Sequence, residues 1–545
     1  MLPSARVFGF CMSKPTTKPI FIITVTLILS SLLVLAALIS PGVSSRAAIN
    51  MGDKSAVSAG DTKPAATPGV VTTPVGSAYS AGKGEPIGAV VRRFWPESSY
   101  LTRAEMETAL REANHLGKAV YLKAGQQVTI PGLEPQPIVE KSISVPADYE
   151  VRAVYMTGPM AGSQRGLEIV RRWRAQGGNA VVFDIKDSDG SVNVPFNNPL
   201  APKKSPAIPN LPKYVRFLHS QGMHAIARIA LFRDEHIAQQ HSELAVKSRR
   251  TSQAWRENGK LVWTDPSNPD VQAYDLELAK QVAASGVDEV QFDYVRFPAE
   301  GDQKDASFAF QKTHPDWTRA QVIADFLSRA YVELHQQGVL LSLDVFGVMA
   351  WQRSVDLAHT GQDIALMAKY CDVLSPMIYP SHFFGMDGYQ HPGDAPEHFI
   401  SESMVRFEKV TAETHVVLRP WLQAFAWRTK TYSPEYIRKQ VVAARDHGGI
   451  GFLFWNARND YSKPLIAMAD MKITPGKFFR ADELTDLPRL FAEESTRTAE
   501  REQRLAALIQ PPVPKEHPPV HPAGPARRKR TVAKVTPVAV TPSQK

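Results

Sequence analysis

The sequence predicts an α/β fold, a (β/α)8 TIM barrel, set between an N-terminal transmembrane helix with a disordered linker and a disordered C-terminal tail. Three observations predict it. From residue 151 to about 472, short apolar, β-branched runs alternate eight times with stretches of helical period. Several of those stretches end in a glycine able to stop a helix, at Gly177, Gly222, Gly286, Gly338 and Gly448. No Gly-x-Gly-x-x-Gly follows the first run, which leaves a doubly wound dinucleotide fold without support.

The N-terminal elements come first. Residues 1–19 hold Arg6, Lys14 and Lys18 and no acid, and residues 20–39 are almost unbroken apolar sequence. That length matches a hydrocarbon core of roughly 30 Å, and the basic flank would keep the N-terminus inside. The expectation is a single-pass signal-anchor in the cell membrane with the barrel exported. The alternative is a cleaved signal and a secreted or periplasmic protein. Residues 40–86, rich in Ala, Gly, Ser, Thr and Pro, read as a flexible linker. In the accessory segment 87–150, Thr102 and Glu105 have the spacing of a capping box for a helix over 103–115, and AVYLK and QVTI read as a strand pair.

Within 151–472 the strand candidates are 151–157, 179–185, 224–230, 288–294, 339–345, 372–379, 415–421 and 449–455. Helical runs such as GLEIVRRWRAQ, YVRFLHSQ and YIRKQVVAARDH fall between them. Residues 473–510 read as a C-terminal helical segment, with one charged helix over 482–509. Residues 511–545 form a Pro-rich, basic, disordered tail carrying Arg527-Arg528-Lys529-Arg530. That tail reads equally as a tether to an anionic envelope polymer or as a solubilising end.

Charge placement decides the partner class. The chain has 545 residues, 43% of them hydrophobic, and a net charge of +9. Residues 1–50 contribute +4 and residues 511–545 contribute +6, which leaves −1 for everything between. The barrel is close to neutral, so no nucleic-acid partner is expected. Two cysteines, Cys11 and Cys371, exclude a disulfide scaffold and any multi-cysteine metal site. Cys371 reads as core.

In a barrel of this kind the loops after the strands build the site, so polar residues at strand C-termini are the candidates. The second strand ends with Asp184, Lys186, Asp187 and Asp189, and the third near Arg228, Arg233 and Asp234. The fourth supplies Asp293, Tyr294 and Arg296, the fifth Asp344, and the sixth Tyr379, Ser381 and His382. The seventh gives Arg419, Trp421 and Gln423, and the eighth Trp455 and Asn456. Carboxylates flanked by aromatics suit glycosidic chemistry, where one carboxyl protonates the leaving oxygen and another attacks or activates water. Asp293 reads as nucleophile or base, with Arg296 nearby favouring its charge. Asp344, flanked by Val345 and Phe346, reads as the acid, and Asp184 competes for either role. Asp187 and Asp189 beside Gly190 read as a turn. Asp184, Arg228, Tyr294, Arg296, Tyr379, His382, Trp421, Gln423 and Trp455 are the expected substrate contacts. His382 could equally be a loop histidine, and Trp421 and Trp455 could equally plug the barrel top. Trp351 is a further stacking candidate.

No metal or cofactor is expected. His-x-His is missing after the first strand, and an Asp-only magnesium site at Asp184 and Asp187 is the residual alternative. No Gly-x-Ser-x-Gly elbow or P-loop occurs.

The runs VVFDIKDSDG, IARIALFRD, WTDPSNPDV, EVQFDYVRFP, LSLDVFG, VLSPMIYPSHF, RPWLQAF and FLFWNA, in this order, resemble a bacterial glycoside hydrolase family catalogued mainly as a domain of unknown function. The resemblance covers about residues 151–472. It implies an exported (β/α)8 barrel acting on carbohydrate, with the aspartate ending the fourth strand, Asp293, as nucleophile. Many such enzymes place a glutamate acid at the end of strand four, five or seven; this chain has none there. The expected activity is hydrolysis of O-glycosyl bonds in a polysaccharide or envelope glycan. The alternatives are a non-catalytic carbohydrate-binding barrel and an envelope-assembly scaffold.

Overall fold

In the computed structural model, which describes residues 77–480, eight parallel strands close into a ring. They are β1 (Arg152–Met156), β2 (Ala180–Lys186), β3 (His224–Ala230), β4 (Glu289–Asp293), β5 (Leu340–Phe346), β6 (Val373–Ile378), β7 (Val417–Leu418 with Trp421–Gln423) and β8 (Phe452–Trp455). Each pairs with the next, and β8 returns to β1 with Leu453 opposite Ala153. All eight strands lie where the β-branched runs placed them. Strand β7 is broken around Pro420, which has no N–H to give, although its carbonyl still accepts from Leu453.

The main helices alternate with the strands: α1 (Gln164–Ala175), α2 (Leu211–Ser220), α3 (Pro269–Ala283), α4 (Arg319–His335), α5 (Ser354–Thr360), α6 (Pro396–Thr411), α7 (Pro434–Asp446) and α8 (Ser462–Ile473). Their starts are encoded locally. Ser163, Asn210, Asn268, Thr318 and Ser433 each accept a hydrogen bond from a first-turn N–H, and Thr318 completes a capping box with Gln321. The five glycines expected to end helices all have positive φ. Between strands and helices lies the main apolar core, with Phe183, Phe292, Phe326, Leu341 and Phe454 fully buried. A second apolar cluster, including Ala153, Tyr155, Val182, Ile226, Trp421 and Leu453, fills one side of the ring interior.

Ahead of the barrel, Ser77–Ser80 pairs antiparallel with Gln127–Ile130, and two helices, Ile87–Phe94 and Arg103–Ala113, pack on this ribbon through Val90, Val91, Met106 and Leu110. The Thr102–Glu105 capping box is present. The ribbon corrects two expectations. QVTI pairs with residues read as linker, and AVYLK contributes only a single bridge, from Tyr121 to Pro86. Lys213 of α2 fastens this unit to the barrel by donating to the carbonyls of Trp95, Ser98 and Tyr100 at 2.7, 3.1 and 2.8 Å.

The chain then reaches the N-terminal end of the barrel, where Ile143, Val145 and Tyr149 join the interior cluster. Buried His219 stands between Glu140 and Asp288 at 3.1 and 3.0 Å, and Ile143 donates its N–H to Asp288 at 2.6 Å. No helix among the described residues is long and apolar enough to cross a membrane. The apolar run 20–39, most of the linker, the helix expected over 482–509 and the basic tail lie outside the described residues.

Candidate active site

Period-two alternation along each strand decides what faces the barrel axis. The inward series are Ala180, Val182, Asp184 on β2; His224, Ile226, Arg228 on β3; Glu289, Gln291, Asp293 on β4; and Leu340, Ser342, Asp344 on β5. Each series ends in a charged residue at the strand C-terminus. Four neighbouring strands thus deliver three carboxyls and a guanidinium to one place.

Arg228 is the hub. Its Nη1 donates to Asp184 Oδ1 at 2.5 Å, and its Nη2 and Nε donate to Asp293 Oδ2 at 2.5 and 3.2 Å. Asp344 Oδ2 lies 3.8 Å from Nε, and Asp187 Oδ1 lies 4.0 Å from Nη1. The other oxygen of each inner aspartate has its own donor. The Tyr155 hydroxyl serves Asp184 at 2.5 Å, the Tyr294 N–H serves Asp293 at 2.6 Å, and Trp421 Nε1 serves Asp344 at 2.6 Å.

Several buried carboxyls around a single cation cannot all be charged cheaply. Burial, opposed by Arg228 and assisted by Asp187, pushes Asp184 up to about 7. Burial and then the neighbouring Asp293 push Asp344 well above the usual carboxylate range. The cluster can therefore hold a proton at neutral pH while its cation stays fixed, which is the raw material of acid–base chemistry.

The loops after β6, β7 and β8 add an aromatic wall. Tyr379 lies 5.6 Å from Trp455 and 5.7 Å from Phe425, and Tyr155 lies 6.4 Å from both Trp421 and Trp455. His382 packs among Tyr379, Phe425 and Trp427; burial, with Arg428 adding to it, pushes it down to about 3, so it is a neutral ring. Trp455 is partly exposed, as a sugar platform would be. Trp421 is buried and its indole is committed to Asp344.

The structure thus gathers Asp184, Arg228, Asp293, Asp344, Tyr379 and Trp421, with Tyr294, His382 and Trp455 beside them. Other expectations need correction. Arg296 makes no ion pair with Asp293; Arg228 does, and the Arg296 guanidinium sits instead over Phe346, Trp263 and Tyr294. Gln423 is fully buried, accepting from the Ser381 N–H at 3.1 Å and donating to the Phe425 carbonyl at 3.0 Å, so it pins two loops and does not face substrate. Arg419 pairs with Glu289 at 2.8 Å, deeper in the ring. Lys186 turns to Asp275 of α3 at 2.6 Å and to Asp234 at 3.0 Å. Trp351 packs against Phe383 at 5.7 Å with the ring planes tilted by 53°, under Arg406. Asp189 makes its turn with Ser191, whereas Asp187 makes the turn and also reaches toward Arg228.

Two residues at the mouth escaped the sequence reading. Tyr155 had a signal, because it is the last inward position of β1 after Ala153. Glu300 had none, because it lies in the loop after β4; it is buried, and burial with Glu257 pushes it up to about 7. Among the described residues no group of three or more His, Cys, Asp or Glu is placed to hold a metal. The two oxygens of Asp184 accept from Arg228 and from Tyr155.

Residues 153–461 match the family described as "Putative glycosyl hydrolase domain". The chain belongs to this family. A hypothetical protein from Ruminiclostridium thermocellum ATCC 27405 is 35% identical over 35% of this chain and 97% of its own, with a TM-score of 0.30. The PgaB (BpsB) glycoside hydrolase domain from Bordetella bronchiseptica is 17% identical over 59% of this chain and 98% of its own, with a TM-score of 0.45. The spore cortex-lytic enzyme SleL from Bacillus megaterium QM B1551 is 11% identical over 72% of this chain and 86% of its own, with a TM-score of 0.36. No curated protein matches. In this glycosyl hydrolase family member, the eight-stranded barrel is the matched domain, and its C-terminal mouth carries the aspartate–arginine cluster.

Proposed function

We propose that the barrel hydrolyses glycosidic bonds, with Asp293 as nucleophile or base and Asp344 as general acid. One observation carries the reading: two carboxyls on adjacent strands sit on the Arg228 guanidinium, Asp293 hydrogen-bonded to it and Asp344 only near it at 3.8 Å. Asp293 accepts two hydrogen bonds from Arg228, which positions an electron-rich oxygen at the mouth. Asp344, beside that charge and almost fully buried, is held in its proton-bearing form. Cleavage of an acetal requires a proton donor and an electron-pair donor that flank the bond. Asp184, also raised, backs the acid through Arg228, and Trp455 with Tyr379 offers a face for a sugar ring.

The test is a glycan panel offered to the purified full chain and to Asp293→Asn and Asp344→Asn. Each substitution is expected to lower kcat/KM by roughly 100-fold or more. Turnover that survives both would overturn the assignment. Sugar binding with no turnover by the unsubstituted chain would leave a carbohydrate-binding barrel.

A further inference from the structure

Two arginines at the mouth lack what Arg228 has. Arg296 is only 5% exposed, and its guanidinium lies 4.4, 4.7 and 5.2 Å from the ring centres of Phe346, Trp263 and Tyr294. Its one hydrogen bond runs from Nη1 to the Phe297 carbonyl at 3.1 Å. Arg233, partly exposed, lies over the Tyr294 ring at 5.6 Å. Among the described residues neither has a carboxylate oxygen within 4.0 Å, whereas Arg228 has four aspartates at or within that distance.

A buried guanidinium without a counter-ion is costly. The nearby acids do not neutralise it. Glu257, Asp293 and Glu300 act on Arg296 only from beyond ion-pair distance, and the Glu300 carboxyl accepts from Asn258 at 3.0 Å. Burial, with Glu257 adding to it, also pushes Glu300 up to about 7, so at neutral pH it supplies part of a charge. Burial correspondingly pushes Arg296 below its ordinary value.

The arrangement is tied to the reaction centre by one residue. Tyr294 has φ +52°, a left-handed turn directly after β4. The turn lets its N–H reach Asp293, and its ring takes up both arginines. An anionic group meeting these guanidinium groups would gain charge-assisted hydrogen bonds beside Tyr294, the residue that follows the proposed nucleophile.

We propose that Arg233 and Arg296, braced on Tyr294, bind an anionic group of the sugar next to the scissile bond, so that the substrate is an acidic glycan. The inference rests on the hydrolase reading for the word "scissile"; the anion site itself stands on the unpaired arginines. The group is a carboxylate, as on a uronic acid or an ether-linked acid, or a sulfate ester.

Matched glycans separate these cases: a uronic-acid polysaccharide against its carboxyl-reduced form, and a sulfated glycan against its desulfated form. Affinity is measured on the full chain carrying Asp293→Asn, so that turnover does not intervene, and kcat/KM on the unsubstituted chain. Removing the anionic group is expected to weaken binding about 10- to 100-fold for at least one pair. Arg296→Gln and Arg233→Gln should each bring the acidic-to-neutral ratio toward one, and Arg296→Lys should restore part of it. Arg233→Gln keeps the test alive if Arg296→Gln does not fold, because its side chain is partly exposed. Equal binding of acidic and neutral partners in both pairs overturns the inference, as does a ratio unmoved by Arg233→Gln. Acid-selective binding without turnover upholds the anion site and sinks the hydrolase reading; turnover blind to charge does the reverse.

Discussion

Arg228 is a cation whose removal would strand the carboxyls it joins. Asp184 and Asp293 would each lose a cationic partner at 2.5 Å, and buried charges left unpaired typically cost about 3–5 kcal/mol. Arg228→Gln should destabilise the barrel on that scale in denaturant unfolding. Adding Asp184→Asn should return part of the loss, giving a non-additive coupling of about 1 kcal/mol or more. Strict additivity would show that the aspartates do not depend on this cation. At Asp344 the relevant donor is Trp421. Its indole N–H bonds the carboxyl and favours the ionised form, so it holds down a value that burial and Asp293 raise. Trp421→Phe removes the donor and keeps an aromatic plug. An acid acts in its protonated form, so kcat/KM falls as pH rises through its pKa, and the alkaline limb of Trp421→Phe should move to higher pH. A limb that stays put, or moves down, would remove Asp344 from the acid role.

The elements around these residues were legible to different depths. Eight β-branched runs separated by helical stretches with terminal glycines gave the barrel, because each signal is local. Strand ends likewise gave Asp184, Arg228, Asp293 and Asp344. Depth within the ring did not follow, since the stagger of a barrel sets which layer an inward residue occupies. Arg419 and Trp421 are both inward on β7, yet only Trp421 reaches the carboxyl cluster. Proximity in sequence places Arg296 near enough to Asp293 to act on it electrostatically, but after the left-handed turn at Tyr294 the two are not within ion-pair distance. The strand Ser77–Ser80 is short and polar, so nothing local set it apart from a linker. Glycine placement offers a test at this scale. Gly286, at φ +90°, closes α3 where an added Cβ would stand 2.6 Å from the Glu140 carbonyl carbon, whereas at Gly338, at φ +71°, nothing lies within 4 Å. Gly338→Ala should cost about 1 kcal/mol of backbone strain, and Gly286→Ala at least about 2 kcal/mol, measured by chemical denaturation. Equal costs would mean that the floor segment yields freely.

Across the whole molecule the two ends of the barrel treat protons oppositely. The mouth raises carboxyls, with Asp184 and Glu300 at about 7, while the floor raises a histidine. Burial works against a charged His219, but Asp288 and Glu140 outweigh it and bring it to about 9. An acid raised in the folded state makes the fold less stable as pH climbs from about 4 toward 7, because the native state must give up a proton it holds more tightly. A histidine raised from an ordinary value near 6.5 contributes stability that is complete below about 6.5 and is lost as pH rises through about 9. The upper bound on that loss is on the order of 3 kcal/mol. Stability should therefore fall in two overlapping stages, the second belonging to the floor. In His219→Gln the level drops throughout, because Asp288 and Glu140 lose a cation, but the slope between pH 7 and 9 should flatten while the slope below pH 7 persists. Calorimetric Tm against pH reads both slopes. The protection of the Ile143 amide, whose N–H is held by Asp288, taken relative to its intrinsic exchange rate at each pH, should fall over the same upper window in the parent chain and stay level in His219→Gln. If the upper slope survives in His219→Gln, the floor pairing is not its source, and the link from residues 140–143 to the barrel is not governed by this histidine.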